Sequence, residues 1–367
     1  MVYSILKNEE KDLKNNFELN ENLFNSEKVD LSPENIQFSQ NLTKDAFSYY
    51  SFDHTFDLFK SIDDIIYMIY TNKNRSIISY NILKNEMINQ VKRSHNEYIS
   101  NFKHYLDKKN KRELLISISA KDNNIKLWNI KNWDCLIDLK NLNENGYLYS
   151  ASFLNDNDKI YLISTNFNFG NPGPIKIFDL DGNKINSINT SNDIDLIETF
   201  YDKKLCINYI VIGINKYIQT FNFNEYKFYN KYYDEGNFGH GSICIIDDNN
   251  LVKIIESSFD GYIRVWNFHT SILFNKIKIC NELLYGICIW NNQYLFVGCE
   301  DKVIRLVDLK EEKVVKDLKG HNTYIVTIKK IFHPKYGDCL VSVGNFNEQI
   351  KLWINNKYID KNKNGYK

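Results

Sequence analysis

A short apolar segment that closes on an aromatic residue recurs along this chain of 367 residues. The copies are Ser76-Ile-Ile-Ser-Tyr80, Ile125-Lys-Leu-Trp128, Ile175-Lys-Ile-Phe178, Ile218-Gln-Thr-Phe221, Ile263-Arg-Val-Trp266, Ile304-Arg-Leu-Val307 and Ile350-Lys-Leu-Trp353, the sixth ending on Val. Their ends lie roughly 41 to 50 residues apart, close to the ~40–45 residues of a four-stranded propeller blade. Helical repeats of that length would need apolar residues at three- and four-residue spacing. Here β-branched and aromatic runs alternate instead with Asn, Asp, Gly and Lys turns. The pattern predicts an all-β fold, a seven-bladed β-propeller of four-stranded antiparallel blades. Its blades are placed at 45–94, 95–141, 142–190, 191–234, 235–280, 281–319 and 320–360. Joining the first blade to the last would remove the free sheet edges.

The flanks differ. Residues 1–44 hold five lysines against eight acids with few periodic apolar positions, a polar, mildly acidic N-terminal tail that is mostly disordered or weakly helical. Residues 361–367 form a frayed C-terminus. Lys357-Tyr-Ile-Asp360 is short for a full outer strand, so a strand donated to the last blade by the tail is compatible with the sequence. The chain begins without the basic and apolar stretches of a secretory signal. No apolar run approaches the ~20 residues of a membrane-spanning helix, and Ile207–Ile214 suits a buried strand, so no stable membrane insertion is expected.

Charge narrows function. The 46 basic and 46 acidic side chains cancel, against the basic excess of a dedicated nucleic-acid binder, and no DNA partner is expected. Lysine supplies nearly all the positive charge. The arginines are Arg75, Arg93, Arg112, Arg264 and Arg305, few for phosphate recognition. Seven cysteines lack paired CxxC spacing and are expected to be reduced, buried thiols of a cytoplasmic or nuclear protein.

The second, fifth and seventh repeats resemble the WD-repeat (WD40) family. Ser94-His95, Asp122 and Trp128-Asn129 look like its GH…D…WD pattern. Gly239-His240, Asp260 and Trp266-Asn267 match again. Gly320-His321 and Trp353 match a third time, with Asn347 in place of the aspartate. In all three, six residues separate the turn residue from the tryptophan. The resemblance implies a structural network. With strands lettered a to d from the channel outward, the b–c turn carboxylate accepts from the d–a loop histidine, whose other nitrogen meets a strand-b hydroxyl that also reaches the indole N–H. In the family that hydroxyl lies four residues before the aspartate, where this chain has Ile118, Glu256 and Val343. Ser117 and Ser342 stand one place further back, which implies either a turn longer by one residue or an incomplete network.

No nucleophile–base pair, HExxH, phosphate loop or zinc spacing occurs, so neither catalytic residues nor a cofactor or metal is expected. Binding has clearer candidates. Tyr98 and Tyr324 occupy one blade position at the start of strand a, which Tyr147 shares, with Leu283 there in the sixth blade. The residues before the turn aspartates, Lys121, Phe259 and Glu300, with Phe346 in the seventh blade, belong to the same rim. Such aromatics either form an interface core or pack between blades. The expected function is a non-catalytic scaffold or adaptor that presents propeller faces to peptide motifs or domains of other proteins in a multiprotein complex. The alternatives are a phosphopeptide receptor of a ubiquitin-ligase type, which would want an arginine cluster, membrane phosphoinositide binding, which in related propellers uses an FRRG motif absent here, and RNA binding through Lys and aromatic residues.

Overall fold

A computed structural model describes residues 32–43, 46, 56–142, 146–157, 159–167, 173–248, 251–345 and 349–358. After a single 3-10 turn, Pro33–Asn35, the chain enters β1 (Ile36–Asn41). Blade 1 then comprises β2 (Asp57–Lys60), β3 (Ile66–Thr71), β4 (Ile77–Asn81) and β5 (Glu86–Val91). Blade 2 comprises β6 (Asn101–Asp107), β7 (Arg112–Ser119), β8 (Asn124–Asn129) and β9 (Asp134–Leu139). Blade 3 follows with β10 (Tyr147–Asp156), β11 (Lys159–Phe167), β12 (Ile175–Phe178) and β13 (Lys184–Ile188). In blade 4 are β14 (Leu196–Asp202), β15 (Ile207–Ile214), β16 (Tyr217–Asn222) and β17 (Lys227–Tyr233). Blade 5 has β18 (His240–Asp248), β19 (Leu251–Ser258), β20 (Tyr262–Asn267) and β21 (Leu273–Lys278). Blade 6 has β22 (Leu284–Ile289), β23 (Tyr294–Cys299), β24 (Val303–Asp308) and β25 (Lys313–Lys319). Blade 7 supplies β26 (Ile325–His333), β27 (Gly337–Gly344) and β28 (Lys351–Asn355).

Every sheet is four-stranded and antiparallel, and six of them run in simple chain order. The recurring segments of the sequence are the third strands, β4, β8, β12, β16, β20, β24 and β28. First strands touch first strands around the ring, β2 to β6 and onward to β26, and β26 touches β2. At this inner circle the backbones crowd together. A Cβ at Gly241 in β18 would stand 2.1 Å from the Leu284 carbonyl oxygen of the next blade, so only glycine fits there.

The seventh sheet is composite. Its order is β1-β28-β27-β26, with Ile36 opposite Asn355 and Phe38 opposite Trp353. The Phe38 ring meets the Trp353 indole edge-on at 5.6 Å. Lys316 of blade 6 donates to the carbonyls of Glu34 and Ile36 at 2.6 and 2.8 Å. The strand that closes the ring therefore comes from inside the segment assigned by composition to the tail. That boundary falls too late. Averaged charge over 1–44 hid a six-residue strand whose buried anchor, Ile36, is 1% exposed. At the other end, Asn356–Tyr358 is a 3-10 turn instead of a strand. Residues 1–31 of the tail and the C-terminal residues 361–367 lie outside the described residues.

Seven apolar clusters fill the seven junctions between neighbouring blades. Leu114, Ile116 and Ile118 of β7 pack on blade 3, for example, while Leu115 between them packs on blade 1. A middle strand thus buries both its faces, which explains continuous apolar runs where a one-sided sheet would alternate. β15 is the run Ile207–Ile214, buried from Asn208 onward. The cysteines are all free, but only Cys288, Cys299 and Cys339 are buried; Cys135 and Cys206 are exposed. The expectation of buried thiols fails because several sit on outer strands and loops. Among the described residues, no helix is long and apolar enough to cross a membrane.

Candidate partner-binding face

The d–a loops and b–c turns meet on one face of the ring. In blade 2 they are stitched together by Asp122, which accepts from the backbone N–H groups of Asn96 and Glu97 at 2.9 and 2.8 Å. Beneath them, His95 Nε2 lies 2.7 Å from Ser117 Oγ, which also accepts from the Trp128 indole at 2.8 Å. Asp122 is spent on the loop backbone, and His95 Nδ1 has no hydrogen-bond partner. The expected carboxylate–histidine link is therefore replaced by a carboxylate–backbone link. Burial pushes the His95 imidazole down to about 3, so it is neutral. Blade 7 repeats the inner part: His321 Nε2 and Trp353 Nε1 each lie 2.7 Å from Ser342 Oγ. Asn347 and Phe346 lie outside the described residues.

Strand pairing explains the shifted serines. Ser117 pairs with Lys126 and Ser342 with Lys351, whereas Glu256 pairs with Arg264. Each cation lies two residues before its tryptophan. The b–c turn is thus one residue longer in blades 2 and 7 than in blade 5, and Glu256 occupies the place of the hydroxyl.

Blade 5 consequently holds a buried ion cluster. His240 Nδ1 lies 2.8 Å from Glu256 Oε2, and its Nε2 lies 3.1 Å from the Tyr217 carbonyl. Asn237 donates to the other Glu256 oxygen at 3.2 Å. Arg264, 0% exposed, donates from Nε to Asp234 at 2.8 Å and from both terminal nitrogens to Asp260. Lys276 completes the set at 2.6 Å from Asp234. Asp260 therefore pairs with Arg264 and not, as expected, with His240. Trp266 Nε1 is left without a partner, because a carboxylate bound to histidine has replaced the hydroxyl that would accept from it.

Above this frame lies an aromatic patch that crosses three blades. Tyr285, the second residue of β22, stacks on Tyr324 just before β26, with centroids 5.1 Å apart and planes 24° apart. Phe259, in the b–c turn of blade 5, meets Tyr285 at 5.9 Å. The sequence places Gly before His240, and a Cβ at Gly239 would come within 2.6 Å of the Phe259 ring. Its φ of +75° also suits glycine. Asn345 donates its side-chain amide to the Tyr324 hydroxyl, and Ser257 Oγ donates to the Tyr285 carbonyl. Phe259 and Tyr324 are half-buried and Tyr285 is buried, so the patch is braced between blades as well as open at its edge.

The other rim residues are spread out. Tyr98 lies under Arg75, 5.7 Å from ring centroid to guanidinium carbon, in the loop between blades 1 and 2. Tyr147 is 49% exposed and Lys121 is exposed. Glu300 is half-buried, its backbone N–H donating to Leu283 at 3.0 Å. Two residues missed in the sequence belong near the channel mouth. Burial, reinforced by Asp195 and Tyr285, drives the Tyr149 phenol far above its ordinary range, and burial pushes Asp195 up to about 6. The paired dipeptides Leu148-Tyr149 and Leu284-Tyr285 were the available signal. Within the channel, Lys103 of blade 2 donates to both oxygens of Glu198 of blade 4 at 2.8 and 2.7 Å. Among the described residues, no three His, Cys, Asp or Glu side chains are grouped to hold a metal ion.

The molecule is thus a seven-bladed β-propeller with an aromatic, ion-braced loop face. No family model matches the chain. Over 96 residues it is 25% identical to the U3 small nucleolar RNA-associated protein 21 homolog of Schizosaccharomyces pombe, a match covering 24% of this chain and 11% of that protein.

Proposed function

We propose that this protein is a non-catalytic scaffold of the WD-repeat type that docks other proteins on its loop face within a larger assembly. The observation that carries the reading is the Phe259–Tyr285–Tyr324 patch, which brings aromatics of three consecutive blades to one place. Rigid aromatics held by neighbouring blades lose little entropy on binding and bury much area. Tyr98, Tyr147, Lys121 and Glu300 extend the contact around the rim. Phosphopeptide recognition is less well supported, since Arg264 and Arg305 already hold Asp260 and Asp301. The match to a protein named for its association with a small nucleolar RNA supports an RNA-containing assembly and a nuclear address beside a cytoplasmic one.

Affinity capture from extracts of the source cells tests this, comparing the wild-type protein with a Phe259→Ala/Tyr324→Ala variant of unchanged circular dichroism. The variant should lose at least about tenfold of a defined set of proteins, with the loss unaffected by ribonuclease. Equal capture by both forms removes the proposal, and capture abolished by ribonuclease transfers it to RNA binding.

A further inference from the structure

Three of the arginines are spent on carboxylates: Arg112 on Asp107, Arg264 on Asp234 and Asp260, and Arg305 on Asp301. The other two, Arg75 and Arg93, meet on the loop face where blade 1 joins blade 2. Arg75 lies in the b–c turn of blade 1, two residues after Lys73, and Arg93 follows Lys92 in the d–a loop that leads to β6. The two loops are tied together, because the Ser94 N–H and hydroxyl both donate to the Arg75 carbonyl, at 3.0 and 2.8 Å. Arg75 reaches across in turn, its guanidinium donating to the Asn96 carbonyl and lying over the Tyr98 ring. Lys73, Lys92 and Arg93 are exposed, and Arg75 is half-buried.

Among the described residues, no carboxylate is within ion-pair distance of any of these four cations. The acids of the sector are Glu97 and Asp122, and Asp122 is turned onto the loop backbone. Exposed Lys121 stands beside it on the next turn, so cations outnumber acids here in a chain whose charges otherwise cancel. The excess is local, since the rim beside the Phe259 patch carries Glu282, Glu300 and Asp301. A single phosphate group calls for several N–H donors aimed at one point. Here the charges stand on separate loop positions and part of the Arg75 guanidinium is used on Asn96, which suits a row of separate carboxylates. Arg75 also takes one face of the Tyr98 ring from any stacking base.

We propose that the joined loops of blades 1 and 2 are the docking site for an acidic segment of a partner protein, rich in Asp and Glu. The proposal rests on the reading of the loop face as a docking surface, and it names the chemistry of what docks there. Lys73, Arg75, Lys92 and Arg93 receive the carboxylates, and the hydrogen bonds from Ser94 to Arg75 keep the two pairs of cations side by side. Charges this exposed act on the association rate and its salt dependence more than on the final affinity.

The test follows the fluorescence anisotropy of a labelled decaglutamate peptide on the whole chain. Lys92→Glu/Arg93→Glu should weaken binding at least about tenfold, and raising NaCl from about 50 to about 200 mM should weaken the wild type by a similar factor. Lys203→Glu/Lys204→Glu makes the same charge change on the a–b turn of blade 4, at the other end of the strands, and should bind as the wild type does. Equal loss in the two variants, or no binding by the wild type at the lower salt, overturns the proposal. Tighter binding of a labelled decauridylate, lost with Lys92→Glu/Arg93→Glu, gives the sector to RNA and overturns it too. The capture experiment separates this proposal from the reading beneath it. Partners lost by Phe259→Ala/Tyr324→Ala but kept by Lys92→Glu/Arg93→Glu remove the acidic segment and leave the docking face, whereas partners kept by both variants remove the docking face itself.

Discussion

His240 and Glu256 meet at 2.8 Å inside blade 5, with both side chains essentially sealed from water. Because the second ring nitrogen faces the Tyr217 carbonyl, the imidazole donates from both nitrogens and is a cation. Burial opposes that charge, but Glu256 and Asp195 hold the pKa above its ordinary 6.5. The pair's stabilisation is complete below pH 6.5 and is lost as pH rises through the raised folded value. Glu256→Gln should cost about 3–5 kcal/mol at pH 6, and its deficit in urea unfolding should shrink as pH rises toward 9. A deficit independent of pH would count against the cation.

His95 works in the opposite direction. Its folded pKa, about 3, lies below the ordinary 6.5, so the unfolded chain binds the extra proton. The stability that neutral His95 provides is complete above pH 6.5 and falls away as pH drops toward 3. His95→Gln should therefore flatten the acid limb of the stability curve, as followed by thermal melting between pH 4 and 8, and leave its alkaline limb alone.

Ser117 joins His95 to Trp128, so its removal orphans two buried polar groups. Ser117→Ala should destabilise by about 1–3 kcal/mol, and Trp128→Ala by about 3–5 kcal/mol as a core truncation. Ser342→Ala should match Ser117→Ala, because blade 7 repeats the geometry. Denaturant midpoints decide the comparison.

β1 is the ring's fastener. Deleting the chain through Asn41 should expose the β28 edge and the Trp353 ring, lower the melting temperature, and shift Trp fluorescence to the red. Size-exclusion chromatography should show self-association through the freed edge. A monomer of unchanged melting temperature would show that closure adds nothing.

The repeat was legible because one strand per blade carries the same task, filling a junction with Ile and, in six of the seven, an aromatic ring. The position of β1 was not, since Ile36-Gln-Phe38 is too short a pattern to stand out from the charged residues before it. The rim residues fared unevenly. Phe259 and Tyr324 do share a patch, but through Tyr285, two residues after the Leu283 that the alignment set on the rim. Tyr98 lies apart with Arg75, and whether these aromatics bind partners is a question for the capture experiment. Glu256 stood at a position where the resemblance calls for a hydroxyl. That mismatch was visible, but its resolution needed the register with Arg264.

By itself, the sequence determined the blade number and the apolar junctions, because burial of alternating faces is a local, periodic demand that each repeat must meet alone. Only the tertiary structure decided which strand closes the ring and which carboxylate His240 chooses. Those are relations between residues on different strands, set by turn length and blade packing, and no short stretch of chain carries them.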